Sequence, residues 1–209
     1  MAKVTMGRTR FKIQRRLGLE LPGLGKAGPL ERRPYAPGQH GQRRRKLSEY
    51  AVRLTEKQKI IFHYGLRENQ IRNYIRKAKK IKAKAWVDTM IENLEKRTDN
   101  VVFRLQFAPS MIAARQMVIH GHVLVDGKRV SVPHQAIKVG QTITLTDKGF
   151  KSGNYLQAKA RPRLEVPAFL NKEPAGAGEV GKLVANPLPD DIPFAFTKQM
   201  VTEFYWKVK

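Results

Sequence analysis

SMIAARQMVIHGHVLVDGKRV, residues 110–130, changes its periodicity halfway along. Pro109-Ser110 is a helix-opening pair, and Ile112, Met117, Val118 and Ile119 supply apolar positions of the helix that follows. Gly121 is its stop signal. Beyond it, His122-Val-Leu-Val125 and Lys128-Arg129-Val130 are short runs joined by Asp126-Gly127. A type I′ turn needs positive φ at both central residues, so Asp-Gly between apolar runs is the strongest short-range hairpin signal.

The unit extends both ways. Upstream, Asp99 is placed to cap a short helix carrying Val101, Val102 and Leu105; downstream, Gln141 to Thr146 reads as a later strand. Two helices and a small sheet over residues 98–146 make a compact α+β module, with Arg104, Arg115, Lys128 and Arg129 expected on one surface.

Residues 47–97 have helical periodicity. Ser48 can cap one helix, Thr55 with Gln58 fits a capping box, and Gly65 ends that helix. From Arg67 to Lys82, Ile71, Ile75, Ala78 and Ile81 share one face, while Arg72, Arg76, Lys77, Lys79 and Lys80 cover much of the rest. Without nearby acids to pair at i,i+4, these cations are expected to meet phosphate rather than solvent alone. A further helix buries Trp86, Val87, Met90, Ile91 and Leu94. Residues 1–46, broken by Pro22, Pro29, Pro34 and Pro37, predict an irregular basic arm; residues 147–209 read mostly as loop.

Charge points to the partner. The chain carries 41 Lys+Arg against 17 Asp+Glu, net +24 over 209 residues. Residues 1–97 hold 26 bases and 8 acids, residues 98–164 hold 10 and 3, and residues 165–209 hold 5 and 6. Such a field repels itself, and a polyanion that releases counterions on binding relieves it. Nucleic acid is therefore the default partner and an anionic membrane the weaker one. No stretch approaches the roughly 18 apolar residues of a spanning helix. Met1 to Gly18 has charge but no apolar run behind it, unlike a secretory signal. With no cysteine there is no disulfide framework and no thiolate zinc site, and a cytosolic compartment is the simplest expectation.

Several motifs tempt. Gly23-Leu-Gly25-Lys-Ala-Gly28 and Gly176-Ala-Gly178-Glu-Val-Gly181 both match G-x-G-x-x-G, but prolines flank them where a strand and a helix are required. The second nearly extends to a P-loop through Lys182, yet Leu183 stands where a magnesium-binding hydroxyl should be. His40, His63, His120, His122 and His134 show no metal-ligand spacing, so no metal and no cofactor are expected. No catalytic pair of acids stands out. Tyr35, Tyr50, Tyr64 and Tyr74 are interleaved with Arg and Lys, either to stack on RNA or to line helix cores.

Longer motifs narrow the field. Glu31-Arg-Arg-Pro-Tyr-Ala-Pro-Gly-Gln-His-Gly41, Arg44-Arg-Lys-Leu-Ser-Glu-Tyr50, Glu56-Lys-Gln-Lys through Tyr64-Gly, and Gln70-Ile-Arg-Asn-Tyr74 resemble the bacterial-type family of small-subunit ribosomal protein number four. Arg97-Thr-Asp-Asn-Val-Val-Phe-Arg-Leu105, Ala114-Arg-Gln116 and His120 to Gly127 resemble that family's S-four RNA-binding module, and Glu203-Phe-Tyr205 fits its end. The resemblance spans essentially the whole chain. The module alone also occurs in rRNA-modifying enzymes; the arm motif makes the family specific. Thr98 stands where the family has leucine, residues 171–183 are a Gly/Ala-rich variation of its tail, and the cysteines that bind zinc in many members are missing.

The fold class expected is α+β: a mostly helical basic N-terminal region, an inserted or following α/β RNA-binding module, and an irregular C-terminal tail. Its domains are a basic arm over 1–46, a helical rRNA-binding region over 47–97, the S-four-type module over 98–164, and an extension over 165–209 that packs on the helical region or on neighbouring proteins. The resemblance implies a non-enzymatic constituent of the cytoplasmic ribosome. It implies a primary binder of small-subunit (16S) rRNA that nucleates assembly of the subunit body and contributes to translational accuracy. Implied partners are ribosomal protein number five and mRNA where it enters the subunit, with no membrane. The alternative is a free RNA chaperone or translational repressor.

Candidate rRNA contacts in the arm are Arg10, Arg15, Arg16, Arg32, Arg33, Tyr35, His40, Arg43, Arg44, Arg45 and Lys46. The helical region adds Tyr50, Lys57, Tyr64, Arg67, Arg72, Tyr74, Arg76 and Arg97. The module adds Arg104, Arg115, Gln116, His120, His122, Lys128, Arg129, Arg161 and Arg163. A-form RNA hides its base edges in a deep groove, so recognition is expected through shape, phosphate and 2′-OH.

Overall fold

The computed structural model describes residues 6–25, 27–43, 46–176 and 178–206. In chain order its helices are α1 (Met6–Leu17), α2 (Pro29–Arg32), α3 (Glu49–His63), α4 (Glu68–Lys79), α5 (Trp86–Glu95), α6 (Thr98–Arg104), α7 (Met111–Ile119), α8 (Asp147–Phe150), α9 (Gly153–Ala160) and α10 (Lys198–Phe204). The strands are β1 (Val123–Val125), β2 (Lys128–Val130), β3 (Thr142–Leu145), β4 (Leu170–Ala175) and β5 (Gly178–Leu183). Two units result: a helical unit, of residues up to Lys77 and from Pro193 on, and a sheet unit from Ala78 to Ile192.

In the helical unit, Ser48 caps α3 by accepting from the Ala51 N–H, as its sequence position suggests. The capping box expected at Thr55 does not form. Helix α3 runs straight through, and the Thr55 hydroxyl donates to the Ala51 carbonyl one turn back. Apolar residues spaced at i, i+4 along α3 and α4 stay buried through Ile60, Ile71 and Ile75, but α4 stops at Lys79 and leaves Ile81 exposed. The arm is not wholly irregular. It begins with the twelve-residue α1, whose buried Gln14 accepts from the Leu21 N–H and turns the chain back. His63 Nδ1 then accepts from the Gly23 N–H at 3.4 Å, so α3 holds the first Gly-rich run in a short 3-10 turn.

The last segment of the chain returns to α3. Glu56 accepts from the Thr197 N–H at 2.8 Å and from Lys59 at 2.6 Å; Glu203 accepts from Arg53 at 2.6 Å. Val201 and Tyr205 are buried, and the Tyr205 hydroxyl donates to Glu68, which also takes Lys57 at 2.7 Å. Burial would raise the Glu68 pKa, but the bonds from Lys57 and Arg72 outweigh it and hold the carboxyl below its usual range.

The sheet unit is built on five antiparallel strands in the order β2-β1-β3-β5-β4. The Asp126-Gly127 turn forms as the sequence predicts, with φ of 48° and 74° and Val125 opposite Lys128. Asp126 is fixed further by the Thr142 N–H at 2.8 Å and Gln141 at 2.7 Å, which hold its carboxyl below the usual range. Alternate residues Val123, Val125, Ile143, Leu145 and Leu183 form the buried face of the sheet, and the buried Leu105 that follows α6 lies against Gly181 of β5.

The region after residue 147, expected mostly as loop, contributes α8, α9, the β4–β5 hairpin and α10. The second Gly-rich run is that hairpin, with no helix opening after it. Gly181 is required because a Cβ there would overlap Leu105 of the α6 turn. Gly178 likewise lies against the Phe150 ring. These glycines serve close packing, which hides a strand inside a segment that reads mostly as loop.

Candidate nucleic-acid interface

In the sheet unit, the Ser110 hydroxyl caps α7 by accepting from Ala113, and α7 ends at Gly121 with φ 69°. That geometry presents Arg115 and Gln116 on α7, His120 at its C-terminus, and His122 just before β1. The His120 and His122 rings lie 6.2 Å apart. The Arg129 side chain lies directly against Gly121, so a Cβ there would meet its Cδ at 2.9 Å. Gln116, His120, Lys128 and Arg129 are exposed, and Arg115 and His122 half-buried. The Thr146 N–H donates to the His122 carbonyl and Gly149 packs on His122, which brings α8 alongside. The exposed Lys148 and Lys151 thereby join this strip; reading residues 147–209 as loop concealed them. Arg161 is exposed after α9 and Arg163 half-buried.

Two expected contacts of this unit have internal roles. Arg104 is 3% exposed, pairs with Glu95 at 3.2 Å, donates to the Asp191 carbonyl and lies over the Phe169 ring. Arg97 is 1% exposed and grips Asp99 through two bonds of 2.9 and 2.5 Å. Asp99 is consequently not the helix cap: Arg97 occupies that position, and the Asp99 carboxylate is spent on Arg97 and the Asn100 N–H. The chain pairs here with a distant segment, since Thr98 and Asp99 donate to the carbonyls of Gln135 and Pro133. Arg97 and Arg104 are thus both buried and each is paired with an acid of its own unit.

In the helical unit, Arg32, Arg33, His40, Arg43, Lys46, Arg67, Arg72 and Arg76 are exposed. Arg16, also exposed, donates to Gln58 on α3 at 2.7 Å, and Arg10 is half-buried. Arg72, expected to have no acid at i,i+4, pairs with Glu68 one turn back at 3.0 Å, so its charge is partly neutralised. Arg76 donates to Asn73 at 3.1 Å. Tyr64 is 1% exposed and belongs to the core, and Lys57 is turned inward between Glu68 and the Phe204 ring. Tyr74 is half-buried, whereas Tyr50 is well exposed at 5.9 Å from Phe204. Arg15 donates to the carbonyls of Tyr35 and Ala36 and stacks on the half-buried Tyr35 ring at 4.9 Å, so it shapes the arm's loop. Arg44 and Arg45 lie outside the described residues.

The arrangement suits a polyanion. Among the described residues, Arg32, Arg33, Arg43, Lys46, Arg67, Lys128 and Arg129 meet no acid at ion-pair distance. No group of three or more His or acidic side chains among the described residues is arranged to hold a metal ion, and no helix there is long and apolar enough to cross a membrane.

Comparison with known proteins gives two family matches. Residues 7–95 match the family described as ribosomal protein S4/S9 N-terminal domain, and residues 96–143 match the S4 domain. The chain is 57% identical over 196 residues to small ribosomal subunit protein uS4B of Bdellovibrio bacteriovorus, covering 94% of each chain. It is 41% identical over 198 residues to uS4 of Methylobacillus flagellatus, covering 94% of this chain and 95% of that one. Against uS4 of Streptococcus suis the identity is 45% over 199 residues, covering 95% and 96%.

Proposed function

Since this chain belongs to the small-subunit ribosomal protein uS4 family, we propose that its two cationic surfaces grip folded small-subunit rRNA and hold the body of the subunit together. The protein is a structural, non-enzymatic constituent of the small ribosomal subunit, and its S4 domain is an RNA-binding module. The finer reading is that it binds 16S rRNA early, nucleates assembly and contributes to translational accuracy within the cytoplasmic ribosome.

One observation carries this reading: Arg32, Arg33, Arg43, Lys46 and Arg67 in the helical unit and Lys128 and Arg129 in the sheet unit are exposed and meet no acid at ion-pair distance among the described residues, while the buried Arg97 and Arg104 are already neutralised. In the sheet unit the RNA-facing strip runs from Arg115 and Gln116 through His120 and His122 to Lys128 and Arg129. In the helical unit it comprises Arg16, Arg32, Arg33, Arg43, Lys46, Arg67, Arg72 and Arg76, with the arm serving mRNA where it enters the subunit. The exposed Tyr50 and the Phe204 beside it, flanked by the Arg53–Glu203 pair, form a mixed apolar and charged face suited to protein, and we assign it to ribosomal protein number five.

The test is fractionation. The chain should co-sediment at one copy per small subunit. Its affinity for a small-subunit rRNA fragment should fall with salt, each neutralised phosphate adding about 0.7–0.9 to the log–log slope. Substoichiometric association, with most of the chain on free RNA, would favour a chaperone or repressor instead.

A further inference from the structure

We infer that Arg15 is a positioning residue for RNA binding: from α1 it holds the loop of residues 34–43 in place, so that His40 and Arg43 are presented to RNA already ordered. The inference rests on the RNA-binding reading and gives Arg15 a role other than phosphate contact.

The loop has little to hold itself together. Pro34-Tyr-Ala-Pro-Gly-Gln-His-Gly-Gln-Arg43 contains no acid and forms neither helix nor strand. Inside it, the Gly41 N–H donates to the Gly38 carbonyl at 3.3 Å and the Arg43 N–H to the His40 carbonyl at 3.1 Å, each a local turn. His40 and Arg43 are exposed at its far end. A loop that orders only on binding loses conformational entropy at that moment, and affinity falls accordingly.

Arg15 supplies the restraint in advance. Its Nε donates to the Tyr35 carbonyl at 2.9 Å and its Nη2 to the Ala36 carbonyl at 3.3 Å. The guanidinium also lies over the Tyr35 ring, 4.9 Å from its centre. The Ala36 carbonyl is held twice, because the returning chain packs so closely that a Cβ on Gly41 would overlap it. Among the described residues, Arg15 is the helix side chain that hydrogen-bonds this loop. A planar fork can serve two successive carbonyls and a ring together, which an ammonium cannot. Arg15 is half-buried, with donors and ring face spent on its own chain rather than offered to phosphate.

The experiment measures the affinity of the full-length chain for a small-subunit rRNA fragment as salt is varied. Arg15→Ala should bind about tenfold more weakly, because the loop must then be ordered on the RNA. Its log–log slope should equal the parent's, whereas Arg43→Ala should lower the slope by about 0.7–0.9. Arg15→Lys keeps the charge and should bind like Arg15→Ala. The effects should overlap: in an Arg43→Ala background, Arg15→Ala should cost clearly less than about tenfold. Amide exchange across residues 34–43 of the free chain should accelerate in Arg15→Ala, with a thermal melt confirming that the variant folds. Gly41→Ala keeps Arg15 but disturbs the same carbonyl, and should reproduce the affinity loss at an unchanged slope. A lowered slope in Arg15→Ala, or full recovery in Arg15→Lys, would make Arg15 a phosphate contact and overturn the proposal. An Arg15→Ala chain that binds like the parent would overturn it too, while leaving general RNA binding intact. Failure of the parent chain to bind rRNA would remove the RNA-binding reading itself.

Discussion

Arg97 closes a two-bond fork onto Asp99 with both side chains 1% exposed, at the point where α6 begins. Two charges taken out of water need each other: removing one leaves the other buried and unpaired, at a cost of about 3–5 kcal/mol. Arg97→Ala should therefore lower the stability of the sheet unit by that order in urea unfolding. Arg97→Lys should recover only part, because an ammonium cannot match the fork. At temperatures where the variant remains folded, its RNA-binding salt slope should equal the parent's. A lowered slope would return Arg97 to the RNA surface.

Gln106 takes the left-handed conformation, φ 61°, at the turn that ends α6, a position where glycine is the common choice. Its side chain donates to the Leu164 carbonyl at 2.7 Å and ties the segment after α9 to this turn. Backbone strain of about 1–2 kcal/mol thus opposes a hydrogen bond worth about 1 kcal/mol. Gln106→Gly should be close to neutral in thermal melts. Gln106→Ala keeps the strain, loses the bond and should be destabilised by about 1 kcal/mol. Equal melts for the two variants would contradict this division.

The return of α10 to α3 should be acid-labile. Glu203 is held below the usual carboxylate range by its bond from Arg53 and then by Gln199, and Glu68 is held there by Lys57 and Arg72 against the effect of burial. A carboxylate with a lowered folded pKa adds stability above its unfolded value, about 4.3. That contribution disappears as pH falls through the folded value. Amide exchange across residues 193–206 should therefore accelerate as pH drops from about 5 to about 3, after correction for intrinsic rates. Glu203→Gln should exchange faster at neutral pH and respond less to acid. An acid response identical in the variant would place the clamp elsewhere.

What was legible in the sequence is what local chemistry dictates. Ser48, Ser110 and Asp126-Gly127 act through bonds within three residues or a turn, and each forms as read. The failures are long-range. Arg97 and Arg104 are residue types of a binding surface, but segments 30 or more residues away bond to this stretch, and no periodicity announces that closure. The β4–β5 strands were obscured because their glycines admit Leu105 and the Phe150 ring, contacts visible only once α6 and α8 are in place. Helix α1 was missed because the prolines of the arm begin only after it ends.

The strip on the sheet unit can be divided by the kind of contact each residue makes. Lys128 and Arg129 stand on β2, held in place by the Asp126-Gly127 turn. Each is expected to neutralise one phosphate, so Lys128→Ala should weaken rRNA binding and reduce the log–log salt slope by about 0.7–0.9. Gly127→Ala removes no charge. It places a Cβ where φ is 74°, so it should cost about 1–2 kcal/mol of stability and displace Lys128 without deleting it. Affinity should then fall at low salt, while the slope stays nearer the parent's than in Lys128→Ala. If Lys128→Ala leaves the slope unchanged, β2 does not face the RNA, and the interface must run instead along α7 and α8.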